Sequence, residues 1–298
     1  MLVCMGGDVY ILNPKAGRGS SQSIARDLES RLAAHGLTGS IQVTSGSGDA
    51  TRLAREAAHA GARWIVAVGG DGTAHEVVNG VAGSDSTFAL LPAGTGNDLA
   101  MALQIPSDLD EAIAALASSR ESRIDLGKFD DRWFVNSLGL GFEAQVTIES
   151  TRIHWIRGFA VYLVAVVKAL SSLRCPDLVM TVDGRRLEKR RLLVCVGNGP
   201  RVGGGFLLTP GATNADGILD VCAVNAMGRW GVLRTLPKAI SGVHTDHPKV
   251  EMYRGTVIEF ESKEGFPFHA DGEVIDTERH TLRIELCAGA LPVRVPNV

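Results

Sequence analysis

The sequence predicts an α/β chain: a parallel sheet with helices on both faces, followed by a mainly antiparallel β domain. Three observations carry that expectation. Strand-like and helix-like runs alternate up to about residue 122, the pattern of parallel strands joined by crossover helices. Strand-like runs then dominate, some of them separated by Asp-Gly turn signals. Two glycine-rich turns, "VGGDGT" and "LPAGTGND", fall at the ends of early strands, where such sheets bind ligands.

The elements follow in order. "DVYILNP" reads as a strand, and "SSQSIARDLESRLAAHG" has helical spacing and stops at Gly36. "GSIQVT" and "DATRLAREAAHAGA" repeat the strand and helix. "RWIVAVGG" is a third strand, followed by the short helix "GTAHEVVNGVAG". "TFALLPAG" is a fourth, followed by the helical "TGNDLAMAL" and "SDLDEAIAALAS". Beyond residue 122 come the strand-like runs "SRIDLGKF", "RWFVNSLGLGFEAQV", "DLVMTVDG", "RRLLVCVGNG", "GILDVCAV", "GTVIEFES", "FPFHADGEV" and "HTLRIEL". One helix, "GFAVYLVAVVKALSSL", interrupts them. The pairs Asp183-Gly184 and Asp216-Gly217 mark turns.

With 298 residues, 45% of them hydrophobic, the chain can bury a sizeable core in one large or two ordinary domains. A net charge of −3 gives no global sign of nucleic-acid binding, and no nucleic-acid partner is expected. The five cysteines are scattered and form no CxxC pair, so neither a zinc site nor a disulfide framework is expected. The opening "MLVCMGGDVY" lacks the basic and apolar regions of a signal peptide. The longest apolar run, "FAVYLVAVV", is far short of the roughly 20 residues a spanning helix needs. A soluble, cytoplasmic protein is the expectation.

The glycine turns carry the chemistry. Such a turn between strand and helix presents backbone N–H groups to an anion, helped by the helix N-terminus. There are three: "NPKAGRG", "GGDGT" and "PAGTGND". None is a Walker A loop, and none is a dinucleotide GxGxxG with its acidic partner. One turn alone could be a plain connection; three after strands of one sheet can converge on a phosphate group. Asp71 cannot cradle phosphate itself. It either holds a bridging Mg²⁺ or serves the turn through a local hydrogen bond. The same choice applies to Asp98. Lys15 and Arg18 either face phosphate or are solvated.

"GGDGTAHEVVNG" and "LPAGTGNDLA" resemble the catalytic motifs of the diacylglycerol kinase and sphingosine kinase superfamily. In length and layout the chain is most like the bacterial soluble lipid kinases. The match continues through "RIDLG", "NSLGLGFEA", "GNGPRVGGGFLLTPGATNADGILDV" and "HADGE". One departure is Ala16, where the family commonly has serine in its NPxSG turn. The resemblance implies an N-terminal doubly wound nucleotide-binding domain and a C-terminal β-sandwich-like domain, with the active site in the cleft between them. The corresponding divisions are 1–122, catalytic, and 123–287, β-rich and lipid-binding. The tail, about 288–298, is expected to return to the first domain.

By the same resemblance, ATP contacts fall on Asn13, Pro14, Lys15, Ala16 and Gly17, on Thr44, on Gly70, Asp71, Gly72, Thr73 and Glu76, and on Thr95 and Asn97. Thr44 also reads as an ordinary strand-end hydroxyl, and Glu76 as a carboxylate favoured by its helix dipole. Asp71, Asp98 and Asp125 match acidic positions linked through water to a catalytic Mg²⁺. Thr213, Asp216 and Ile218 match a second, structural Mg²⁺ site; without the resemblance they read as a turn. Glu273 of the DGE motif is the expected general base, with Asp271 in support. Two residues apart, they share a face if extended, whereas Gly272 equally allows a turn.

The expected activity is ATP- and Mg²⁺-dependent phosphorylation of a hydroxyl on a membrane lipid, with peripheral membrane contact and a homodimer as partners. "DGRRLEKRRL", with five cations, is either a solvated hairpin or a contact for anionic headgroups. The alternatives are a NAD or other small-molecule kinase sharing GGDGT, and a non-catalytic lipid- or nucleotide-binding relative.

Overall fold

The computed structural model describes residues 6–16, 21–153, 155–156 and 158–297, with backbone alone at 21–26. The chain divides into two compact units, Met1–Asp125 with Gly289–Val298, and Leu126–Ala288.

In the first unit, β1 (Val9–Leu12), β2 (Ser40–Val43), β3 (Trp64–Gly69) and β4 (Thr87–Pro92) lie parallel in the order β4-β3-β1-β2. Val9 faces Ser40 on one side and Ile65 on the other. β1 and β4 are buried at every residue. Continuous apolar runs of this kind belong to sheets covered on both faces. The covering helices are α1 (Ser21–Ala34), α2 (Asp49–His59), α3 (Asp71–Val81) and α5 (Leu109–Ala117), with the short α4 (Asp98–Ala102) after β4. One core cluster joins Tyr10, Leu12, Val66, Val68 and Leu91 to Leu28 and Leu32 of α1 and Ile113 and Leu116 of α5. The strand order runs outward from β1 in both directions, so the topological switch lies between β1 and β3.

Two strands carry the chain between the units: β5 (Arg120–Phe129) and β13 (Glu273–Val295). Near its end β13 joins the parallel sheet, Val293 pairing with Phe88 of β4. Leu291 and Val293 are fully buried there.

The second unit is mainly antiparallel. β7 (Ser137–Gly141), β9 (Arg185–Gly197), β10 (Leu219–Asn225), β11 (Val250–Gly255) and β12 (Val257–Ala270) run with β13 in the order β11-β10-β9-β7-β12-β13. β8 (Asp177–Val182) pairs with β9 and β12, and β6 (Arg132–Phe134) pairs with β5. An aromatic-rich cluster, including Phe129, Phe134, Phe260, Phe266 and Phe268, fills one face. A second cluster, containing Cys195, Phe206 and Cys222, is covered by α6 (Phe142–Thr151), α7 (Ala160–Ala169) and α8 (Arg229–Ser241).

The sequence indicated one helix in this unit, α7. The run "RWFVNSLGLGFEAQV", read as a single strand, breaks into β6, β7 and α6. β7 ends at Gly141, the N-cap of α6, whose φ of 71° turns the chain out of the strand and into the helix. α8 went unread because Gly231, Thr235 and Pro237 are poor helix formers. Burial of Val232 and Ala239 helps hold it in place.

Candidate active site

In the first unit two glycine turns, and the described residues 13–16 of a third, meet at the carboxyl edge of the parallel sheet. Asn13, following β1, donates from Nδ2 to Thr73 Oγ1 of α3 at 3.1 Å. Its Oδ1 accepts the Lys15 N–H at 3.0 Å, closing its own turn. The turn after β3 is bound to the turn after β4, Ala93 N–H donating to Gly69 O at 2.8 Å. A Cβ on Gly94 would lie 2.4 Å from Gly70 Cα and 2.7 Å from Asn97 Oδ1. Only glycine permits that approach. Asn97, in the left-handed region at φ 57°, accepts the Gly94 N–H at 3.1 Å. It therefore shapes the third turn from within.

Asp71 is the first residue of α3, and its Oδ1 accepts the Leu99 N–H of α4 at 3.2 Å. That bond brings Asp71 alongside the turn carrying Asp98, which is buried. Asp125 is buried on β5 and accepts the Gly289 N–H at 2.7 Å, tying β5 to β13. Among the described residues no three His, Cys, Asp or Glu side chains converge as a metal-binding group. Mg²⁺ does not require one, since it commonly takes one or two carboxylates with waters and phosphate oxygens. Asp71, at a helix N-terminus among phosphate-type turns, fits that mode.

The other nucleotide candidates separate by exposure. Thr73 and Thr44 are buried, the Thr44 N–H donating to Leu12 O at 2.9 Å. Lys15, Gly72 and Thr95 are exposed, and Pro14 and Ala16 half-buried. Glu76 is engaged elsewhere. Its carboxylate accepts the Gly48 and Ala50 N–H groups at 2.9 and 3.1 Å, at the start of α2. A helix N-terminus leaves such donors unsatisfied, and a residue some 26 positions distant supplies the acceptor. Gly17 and Arg18 lie outside the described residues.

In the second unit the DGE motif is a two-residue hairpin. Asp271 and Gly272 have φ of 48° and 83°, and Ala270 pairs with Glu273 across them. Asp-Gly suits this turn because both positions need positive φ. The turn, rather than a continuous strand, separates the two carboxylates. Asp271 accepts the N–H groups of Val135, Asn136 and Ser137 at 2.8, 2.8 and 2.9 Å. Glu273 remains 45% exposed, with Arg132 at 3.8 Å.

Two residues the sequence reasoning passed over support this hairpin. His269 Nδ1 accepts the Gly272 N–H at 3.3 Å, and its Nε2 lies 3.4 Å from Glu143 Oε1. Both side chains are buried, and the close pass of Gly139 makes room for them: a Cβ there would sit 2.4 Å from Glu143 Cδ. The signal was present in "GLGFEA" and "FHADGE", but only the fold joins them.

Asp216, in the turn before β10, accepts from the Arg254 guanidinium, which also approaches Asp220 at 3.5 Å. A cation at Thr213, Asp216 and Ile218 would share the Asp216 carboxylate with Arg254. Three of the basic hairpin's five cations lie near carboxylates. Lys189 pairs with Glu251, Arg191 is buried against Glu251 and Asn225, and Arg186 lies near Glu188 and Glu261. Burial pushes the Glu251 carboxyl up, but hydrogen bonds from Lys189, Tyr253, Arg191 and Asn225 hold it well below the usual range.

The chain is similar to known proteins along nearly its whole length. Residues 9–129 match the diacylglycerol kinase catalytic domain, and residues 136–295 match the YegS C-terminal NAD kinase beta sandwich-like domain. A diacylglycerol kinase of Staphylococcus aureus (strain bovine RF122 / ET3-1) is 31% identical over 88% of this chain and 84% of its own. A Chromohalobacter salexigens protein named "Probable lipid kinase YegS-like" is 32% identical over 98% and 94%. A solved Bacillus anthracis str. Sterne structure superposes with a TM-score of 0.79 at 26% identity, covering 98% of this chain and 97% of that one. The chain therefore belongs to the diacylglycerol kinase and YegS-like family of lipid kinases, with a catalytic domain followed by a β-sandwich-like domain.

Proposed function

We propose that this chain transfers the γ-phosphoryl group of ATP to a hydroxyl of a membrane glycerolipid or sphingolipid, diacylglycerol being the leading candidate. The observation that carries the reading is the cross-linked set of glycine turns, Asn13 to Thr73 and Gly70 to Gly94, with Asp71 among them. Backbone N–H groups of these turns, the Thr73 and Thr95 hydroxyls and the Lys15 ammonium receive the phosphates. Asp71 and Asp98 are the residues that would hold Mg²⁺, which when bound would offset phosphate charge. Glu273 takes the proton of the lipid hydroxyl as its oxygen bonds to the γ-phosphorus, and the bond from that phosphorus to the ADP oxygen breaks. Asp271 holds the hairpin that presents Glu273. Such an enzyme works at the cytoplasmic membrane surface.

The test is γ-labelled ATP with a mixed lipid extract, followed by mass spectrometry of the labelled product. A phosphorylated lipid whose formation requires Mg²⁺ is expected. Label transferred to NAD or a water-soluble sugar, and to no lipid, would overturn the proposal.

A further inference from the structure

The base proposed above follows a two-residue turn, Asp271-Gly272. Asp271 is held by three backbone N–H groups. Gly272 is held by its N–H bond to His269 Nδ1 at 3.3 Å. That second bond is conditional. An imidazole nitrogen accepts only while it carries no proton, and what the other ring nitrogen meets decides where the proton sits.

The other nitrogen meets Glu143. His269 Nε2 lies 3.4 Å from Glu143 Oε1, with the two side chains 4% and 9% exposed. Among the described residues no closer hydrogen-bond partner reaches Nε2. Glu143 stands in the first turn of α6, where the helix dipole favours a carboxylate. The sheet beneath is built to admit the pair. Gly139 of β7 lies opposite His269 of β12 on one side and Cys195 of β9 on the other. A Cβ on Gly139 would sit 2.5 Å from His269 Nε2. Burial, and then the Glu143 carboxylate, push the Cys195 thiol well above its usual value, so that sulfur stays protonated beside the same carboxylate.

Two arrangements of the neutral ring can be compared. With the proton on Nε2, an N–H points at a carboxylate and the bare Nδ1 accepts the Gly272 N–H. With the proton on Nδ1, two N–H groups oppose each other at the turn, and a lone pair opposes the carboxylate. Both ends therefore select the same tautomer, and selection is stronger in a site shut off from water. Without Glu143, half of that selection is gone.

We propose that Glu143 and His269 are positioning residues for the phosphoryl transfer: Glu143 fixes the His269 tautomer, and that tautomer holds Gly272 and hence the placement of Glu273. This rests on the reading of Glu273 as the base. Neither residue needs to touch the reacting atoms.

The experiment measures kcat at saturating ATP and lipid for substitutions that separate hydrogen bonding from bulk. Asparagine carries its carbonyl oxygen where histidine carries Nδ1, and glutamine carries its amide where histidine carries Nε2. Since a misplacement of about 1 Å can cost 10²-fold, His269→Gln should lose about tenfold or more while His269→Asn stays within about threefold of wild type. Glu143→Gln, which keeps an acceptor, should behave like His269→Asn, and Glu143→Leu like His269→Gln. KM for ATP should not move in any of them, and circular dichroism should show them folded. His269→Asn leaves no tautomer to choose, so adding Glu143→Leu to it should cost nothing further in kcat. A second readout is independent of activity. In protein labelled with nitrogen-15 at histidine, long-range proton–nitrogen spectra should show His269, identified by its loss in His269→Asn, protonated at Nε2. In Glu143→Leu the same ring should become a mixture of tautomers. Equal kcat in His269→Asn and His269→Gln would overturn the proposal, as would a wild-type ring protonated at Nδ1 or an unchanged tautomer in Glu143→Leu. Should Glu143→Leu fail to fold, the two His269 variants decide alone. Glu273→Gln judges the base separately: an unimpaired kcat there sinks that reading, while the spectra still decide whether Glu143 sets the tautomer.

Discussion

Asp271 and Glu273 are two residues apart and have unlike surroundings. Three backbone N–H groups converge on the Asp271 carboxylate, and hydrogen bonds to a charged acceptor contribute about 1.5–3 kcal/mol each. Glu273 is 45% exposed and lies 3.8 Å from the Arg132 guanidinium. Their substitutions should therefore fail differently. Glu273→Gln is expected to keep its melting temperature and lower kcat by about 10²-fold or more at saturating ATP and lipid; an unimpaired kcat would sink its assignment as base. Asp271→Asn places an N–H where an acceptor is needed. It should lose about 1–3 kcal/mol in chemical denaturation, with a smaller effect on kcat per folded molecule. Glu251 supplies a pH effect. Its folded carboxyl lies well below the ordinary value of 4.5, so its stabilisation is complete above that value and is lost progressively as pH falls from it toward the lower folded value. Glu251→Gln should thus flatten the fall of melting temperature with acidification; an unchanged acid slope would contradict this.

At the scale of elements, the nucleotide turns depend on two strand ends passing at backbone contact. Gly94→Ala inserts a methyl 2.4 Å from Gly70 Cα, and overpacking of this kind costs about 1–3 kcal/mol. The distortion falls on the turns after β3 and β4, so KM for ATP should rise at least about tenfold while circular dichroism stays native. A normal KM would show that the turns do not hold the nucleotide. The elements also show what sequence could reveal. Alternating strands and helices were legible because covered parallel strands are continuous apolar runs, and the glycine turns because their motifs are local. α6 was not legible because the β-branched Val146, Thr147 and Ile148 read as strand, and α8 because tertiary burial overrides the poor propensity of Gly231 and Pro237. The capping of α2 by Glu76 and the pairing of Glu143 with His269 were hidden for another reason. Each joins residues far apart in sequence, and no local pattern marks them.

At the scale of the molecule, the first unit is discontinuous: it contains residues 289–298 as well as everything before Leu126. Its sheet gains β13 beside β4, and Asp125 gains the Gly289 N–H. Deleting residues 289–298 removes the fully buried Leu291 and Val293. Hydrogen exchange should then show lost protection in β3 and β4, with β9 and β10 still protected; unchanged protection in β4 would show that the strand is dispensable. The same layout orders events during synthesis. A ribosome makes the chain from its amino end, and domains made first usually fold first. Here the unit that begins emerging must wait, one sheet edge open, while all of Leu126–Ala288 is translated. Its nucleotide turns emerge before Leu126, yet the strand that closes their sheet leaves the exit tunnel only after Ala288.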